Sequence, residues 1–252
     1  MKIFKSEFVH SYTSYSFGYC DYAIYEDGDN LSDIYQQGFL PYTGSSDIKQ
    51  TLYMARSARV NLEKFSPNSE NRRVAKKFDG QLVRSKTPLA DFDYTNNQFI
   101  SFCIEYFAKR HGPHVMPKER FSTILASGFP IFVITYTHKD TQNIVGYALE
   151  IDDGIMSHYW YSFYDLIYAY ESLGLWIMLD CIREAQSAGK THYYIGTVYG
   201  DKALYKTNFD SLEFWDGNIW NTDIKHLRTI SRNDEHHVVD NIDRFKEDKR
   251  LF

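Results

Sequence analysis

The residues with the most chemical potential are few. Tyr205-Lys206 sets a phenol beside an ammonium, and a lysine so placed is a common contact for phosphate, the alternative being an exposed helix lysine. Glu213, a little further on, could accept a proton or pair with Lys206, and Asp165 could bind a cationic group, although carboxylates are as often ion-pair partners or helix caps. Arg72 and Arg73, with Lys76 and Lys77, make the most basic run in the chain, and Asn71 precedes them. In an acidic protein such a run offers a site for a polyanion backbone or a carboxylate, against the usual solvated face. Arg59 is a further candidate for an acidic group. His111-x-x-His114 has the spacing of metal ligands, but two histidines lacking a partner thiolate or carboxylate are more often surface residues. Cys20, Cys103 and Cys181 are odd in number and far apart, which argues for a reducing, cytosolic setting rather than a disulfide framework.

These side chains sit in a chain of 252 residues with a net charge of −5, a pI near 6.0 and a mean hydropathy of −0.47. The whole molecule does not attract polyanions, so any nucleic-acid contact must come from a local basic patch. Phe129–Tyr136, among the longest apolar stretches, is far too short to span a bilayer, and the first thirty residues lack the apolar segment of a secretory signal. Neither a membrane nor export is expected. Aromatic residues are 17% of the chain, enough both to fill a core and to line a stacking surface.

The elements that must position the site are legible as patterns. Alternation over Tyr19–Tyr25 predicts a strand; Asp27–Asn30 reads as a turn capping a short helix over Leu31–Gln37 that Gly38 ends. One strand is expected over Thr51–Leu62, and Ser66–Ser69 breaks the chain. Phe99, Ile100, Cys103, Ile104 and Phe107 recur at helical spacing over Asn97–His111. Ile131–Thr137 and Ile144–Ile151 form a hairpin, followed by a strand at His158–Tyr164, a long helix at Leu173–Ala188, a strand at Tyr193–Val198 and a last strand at Phe214–Trp220. Hairpin, strand, helix, strand is the order of a GNAT-type acyltransferase core, an α/β fold with a central mixed sheet. The expected domains are an N-terminal unit at 1–84, a polar linker at 85–97, the transferase unit at 98–220, and a charged extension at 221–252 with Val238, Ile242 and Phe245 along one helical side.

Two stretches resemble the arginyl-tRNA-protein transferase family, which includes a bacterial leucyl-transferring branch. In the first, Gly38-Phe39, Thr43-Gly44, Arg59-Val60 and the element Phe65 to Arg73 hold the family's places, with Asn71 where glutamine is usual. In the second, Tyr106 with Arg110-His111, the aromatic strand Tyr159 to Asp165, Ser172-Leu173-Gly174, Tyr193-Tyr194-Ile195-Gly196, and Leu204-Tyr205-Lys206-x-x-Phe209 with Glu213 follow the C-terminal pattern in order. The family's N-terminal cysteines are absent: Lys49, Leu52 and Ala55 stand near their usual positions, and Cys20 is alone. One thiolate cannot close a metal site, so no metal and no cofactor are expected.

The resemblance implies transfer of an amino acid, arginine first and leucine second, from charged tRNA to the α-amine of a protein or peptide acceptor with an acidic N-terminal residue. Lys206, with Tyr205, would hold the ribose-phosphate leaving group. Glu213 would act as proton acceptor; Arg59, Asn71, Arg72, Arg73, Tyr161, Asp165 and Gly196 would bind substrate. The carbonyl would lie between the splayed strands His158–Tyr164 and Tyr193–Val198. The competing readings are a transferase acting on a small peptide or metabolite, a non-enzymatic relative that only binds tRNA or a protein, and an acetyl-CoA-dependent N-acetyltransferase, which needs a Gly-rich pyrophosphate loop where this chain has Glu171-Ser172-Leu173-Gly174-Leu175-Trp176.

Overall fold

The computed structural model describes residues 1–11, 16–44 and 49–234; the expected helix at 238–245 lies outside them. Strand β1 (Lys2–Ser11), β2 (Ser16–Ile24), helix α1 (Leu31–Gln36), β3 (Phe39–Pro41) and β4 (Thr51–Met54) open the chain, and the strands form a small antiparallel sheet in the order β1-β2-β4-β3. Asn30 caps α1, its Oδ1 accepting from the Ser32 amide at 3.2 Å. Gly38 turns the chain out of the helix at φ +84°, with the Trp215 ring lying where a Cβ would stand.

The strand expected over Thr51–Leu62 is two strands belonging to different sheets. The chain breaks at Ala55-Arg56, where the Arg56 guanidinium bonds Asp234 and the Val198 carbonyl, and β5 (Ser57–Asn61) enters the large sheet. The basic run likewise proves to be ordered: it is helix α2 (Ser69–Phe78), opened by a capping box in which Asn68 Oδ1 accepts from the Asn71 amide at 3.0 Å and Asn71 Oδ1 from the Asn68 amide at 3.3 Å. Asn71, Val74, Ala75 and Phe78 face inward while Arg72, Arg73 and Lys76 face solvent. Asn68→Ala is expected to destabilise the protein by about 1 kcal/mol, measurable as a lower denaturant midpoint at unchanged slope.

The segment at 85–97, polar enough to read as a linker, is largely structured. Strand β6 (Leu82–Pro88) pairs along its whole length with β7 (Ile131–His138), and a 3-10 turn (Leu89–Asp91) follows. Composition misleads there because Lys86 reaches a buried carboxylate cluster, its ammonium meeting Glu150 at 2.5 Å and also Asp152, which Lys190 shares. Helix α3 (Asn97–His111) comes next, as its apolar spacing predicts, then the unanticipated α4 (Lys118–Leu125).

Strand β8 (Ile144–Asp152) closes the hairpin with β7, and β9 (Ser157–Tyr164), α5 (Leu173–Ser187) and β10 (His192–Thr197) complete the core. The last strand is a hairpin, β11 (Leu212–Trp215) and β12 (Trp220–Asn221), because Asp216 and Ile219 close a turn within the expected segment; α6 (Ile224–Arg232) ends the described chain. The large mixed sheet runs β12-β11-β5-β10-β9-β8-β7-β6, so it takes strands from both sides of the expected boundary. Neighbouring residues on β8 mark its two faces: Gly146 lies against Ile177 of α5, whereas Tyr147 stacks edge-on with Phe99 of α3 at 4.9 Å. Helices α5 and α3 thus cover opposite faces, the layered α/β architecture of a GNAT-type core.

Candidate active site

The site arises where the sheet comes apart. Strands β9 and β10 are the parallel neighbours of the large sheet, and they pair only at Tyr193 with Ser157 and Tyr194 with His158. Beyond those rungs each strand bulges on its outer edge. Trp160 has no partner between the pairs Glu150–Tyr159 and Leu149–Tyr161, and Ile195 has none between Tyr194–Arg59 and Gly196–Ala58. A bulge bends its strand and increases twist, and two of them on adjacent strands open a wedge. Gly196 makes the bend at φ +81°.

The wedge is a cleft of about 900 Å³. Tyr159, Trp160, Tyr161 and Tyr164 of β9 form one wall, Ile195, Gly196 and Thr197 the other, and Tyr106, Phe107, Leu40 and Tyr53 complete it. At the floor, Lys206 on the 3-10 turn after β10 (Asp201–Asn208) donates from Nζ to the Thr197 carbonyl at 2.9 Å. Its ammonium lies 3.3 Å from where a Gly196 Cβ would stand, so the glycine provides the space in which the cation sits. Burial without a carboxylate partner lowers the Lys206 pKa to about 8. Arg110, His111 and Lys202 are exposed at the rim with Tyr205, and no Asp or Glu is among the described lining residues. A protein of net charge −5 therefore presents a cationic cleft.

Of the residues singled out from sequence, Lys206, Tyr205, Tyr161 and Gly196 come together here, Tyr161 donating to Thr43 Oγ1 at 3.3 Å. The others lie elsewhere. Arg59 and Glu213 face each other across the β5–β11 rung, Nε to Oε2 at 2.8 Å, with the guanidinium stacked 3.9 Å from the Trp220 ring centre and donating to Tyr194 Oη at 3.3 Å. Glu213 is thus a partner of Arg59, not of Lys206, and opens instead on a second, smaller cleft beside Arg228. Asp165 caps the turn after β9, accepting from the Ile167 amide at 3.1 Å. Asn71 is the buried capping residue of α2; Arg73 pairs with Glu70 at 2.6 Å, and Arg72 donates to the Pro67 carbonyl. None of these lines the cleft. His111 stands at its rim while His114 does not line it, and among the described residues no cluster of three or more potential ligands occurs.

His158 is the residue that reading the sequence passed over. It is 2% exposed, lines the cleft, and meets the hydroxyl of Tyr35 through Nδ1 at 2.9 Å. Burial, reinforced by Lys206, lowers its pKa to about 3, so the ring is neutral at working pH. The only signal was one imidazole in a largely aromatic strand.

The strand order and the splayed pair define a GNAT-type α/β fold with a cationic cleft at the splay. Residues 98–216 match the model of the arginine-tRNA-protein transferase C terminus, the family that the motif order resembles. Curated relatives are named aspartate/glutamate leucyltransferase: that of Ruegeria pomeroyi is 32% identical over 65% of this chain and 60% of its own length, and that of Paracoccus denitrificans 30% identical over 65% and 63%. The chain spans about three fifths of the length of these relatives. Among solved structures, FemX aligns with a TM-score of 0.43 at 11% identity over 68% of this chain and 60% of its own. A GCN5-related glucosamine N-acetyltransferase region of a fungal multi-domain protein aligns with 0.40 at 12% identity, over 75% and 22%. The fold class rests on this chain's own strand order and splayed pair.

Proposed function

We propose that this protein transfers an aminoacyl group, leucyl in first place, from charged tRNA to the α-amine of a protein or peptide whose first residue is acidic. The observation that carries the reading is the cleft whose described lining has cations and no carboxylate, set on the segment that matches the transferase family model. Arginine, the first expectation from the motifs, loses support on two counts. The relatives are named for leucine, and a guanidinium would find no counter-charge among the described lining residues, whereas Leu40, Leu175, Met178 and Ile195 offer apolar contact.

The aminoacyl ester is already activated, so positioning and charge stabilisation suffice. In this reading Lys206 would hold the ribose-phosphate end, the aromatic wall would stack the terminal base, and the rim cations would meet the strand's phosphates or the acidic acceptor. The acetyl-CoA reading weakens for a reason different from the one the sequence suggested. Trp176 does not face the cleft; it is buried, and its Nε1–H donates to Asp79 at 2.9 Å. The obstacle is Tyr164, whose ring lies against Gly174 in the first turn of α5, where a pyrophosphate-binding helix start would need an open approach to the backbone amides.

The deciding experiment incubates the protein with separately charged leucyl- and arginyl-tRNA and with peptides beginning in Asp, Glu, Lys or Arg, and follows product mass. A leucyl adduct on Asp or Glu peptides is expected; transfer of arginine alone, or acetylation from acetyl-CoA, would replace the reading. Arg110→Ala with Lys202→Ala should also flatten the salt dependence of charged-tRNA binding, by about 0.7 in log–log slope for each phosphate no longer neutralised. Arg72→Ala with Arg73→Ala, on a helix that does not line the cleft, should change it less, and the reverse order would move the tRNA path to α2.

A further inference from the structure

Tyr35 and His158 form a buried pair joining the N-terminal helix α1 to the head of β9, and the roles assigned to Lys206 and the aromatic wall leave it unused. Tyr35 is fully buried, and the single hydrogen-bond partner of its hydroxyl among the described residues is His158 Nδ1. A hydroxyl carries one proton and must place it. With one partner, and that partner an imidazole nitrogen, the proton goes to Nδ1, because the opposite arrangement would leave a buried O–H without an acceptor. The ring proton then resides on Nε2. That nitrogen lies on the cleft side, 3.8 Å from where a Gly196 Cβ would stand, in the gap Lys206 also borders.

We infer that His158 acts as a neutral hydrogen-bond donor from Nε2 to the oxyanion of the tetrahedral intermediate, with Tyr35 as the positioning residue that fixes its tautomer. This rests on the aminoacyl-transfer reading of the cleft. The acceptor nitrogen attacks the ester carbonyl carbon, and the C=O electron pair moves onto oxygen, which accepts the His158 Nε2–H bond. Collapse breaks the bond to the ribose oxygen, and that oxygen leaves with the proton the nitrogen gives up. His158 keeps its own proton throughout.

Two considerations favour a donor over a base. The ring is held neutral by burial and by the Lys206 ammonium, so it is a weak proton acceptor but an uncharged, pre-aimed donor. Among the described residues the titratable groups against it are Tyr35 from α1 and Lys206 from the turn after β10, with Tyr194 edge-on to Tyr35 at 4.9 Å; none supplies a carboxylate hydrogen bond that would favour imidazolium.

The test has two arms. Nitrogen-15 NMR of histidine-labelled protein should show His158 as the Nε2–H tautomer, without protonation from about pH 8 down to about pH 5. Tyr35→Phe should shift the ring toward mixed tautomers. An Nδ1–H tautomer, or a titration in that range, overturns the inference whether or not the protein transfers leucine. In single-turnover transfer, His158→Ala should be slowed by about 100- to 1,000-fold, and His158→Gln, which retains an N–H donor but no useful base, should stay at least about tenfold faster than His158→Ala. Full activity in His158→Ala, or a glutamine variant as slow as alanine, overturns the donor role. A wild-type protein with no transfer activity would instead sink the functional reading, leaving the tautomer measurement to decide the inference.

Discussion

Lys206→Ala is expected to slow single-turnover aminoacyl transfer by about 30- to 1,000-fold, the equivalent of roughly 2–4 kcal/mol of transition-state stabilisation. The expectation rests on place: the ammonium sits on the cleft floor, held by the Thr197 carbonyl and bordered by Gly196, with no carboxylate among the described lining residues to neutralise it. Burial has lowered its pKa to about 8, so activity that depends on the cation should fall as pH rises through that value. The stability effect has a definite sign as well. A lysine whose folded pKa lies below its unfolded value of about 10.4 is penalised while charged, fully below pH 8 and not at all above the unfolded pKa. Lys206→Met should therefore melt no lower than wild type near neutrality, and that advantage should shrink as pH rises through this window. Lys206→Arg keeps the charge but must fit a planar guanidinium beside Gly196, so partial recovery is expected. An alanine variant with full activity would make Lys206 a structural lysine.

Arg59→Ala should produce the largest loss of stability, about 3–5 kcal/mol, because it leaves Glu213, a mostly buried carboxylate, with only a long hydrogen bond from Asn61 and no close counter-charge. The substitution also removes the guanidinium from the Trp220 face and from Tyr194 Oη. Arg59→Met combined with Glu213→Leu should recover much of the stability, since removing both charges removes the desolvation penalty. Chemical denaturation of the two single variants and the double would show this as strong coupling. A stable Arg59→Ala protein that had lost selectivity for acidic acceptors would return Arg59 to the substrate-binding role its motif position implies.

These two residues mark the line between what is readable in one dimension and what is not. Helix α3 was legible to its ends because its determinants are local: apolar spacing at Phe99, Cys103 and Phe107 and a glycine stop at Gly112. The β7–β8 hairpin, β9, α5 and β10 were legible for the same reason, and their order implied the fold class and the splayed pair. Lys206 and Gly196 came instead from the family resemblance, in whose motifs both stand.

Pairing across the sheet was decided only by tertiary structure. Arg59 and Glu213 are separated by 154 residues and become neighbours because β5 inserts between β10 and β11. Tyr35 and His158 are separated by 123 residues and meet because α1 docks against the head of β9. No local pattern carries a strand order of that kind, which is set by which apolar faces bury together once all strands are present. Composition likewise misled wherever burial reversed the meaning of polarity: Lys86 made a strand look like a linker, and Asn71, read beside a phosphate-binding run, is the buried lock of a helix cap. By itself the sequence determined the family resemblance, the core elements and a candidate cation after β10; the tertiary structure decided where that cation sits, which other charges were neutralised in pairs and which stayed free for chemistry, because pairing depends on distance in space and burial on the whole fold.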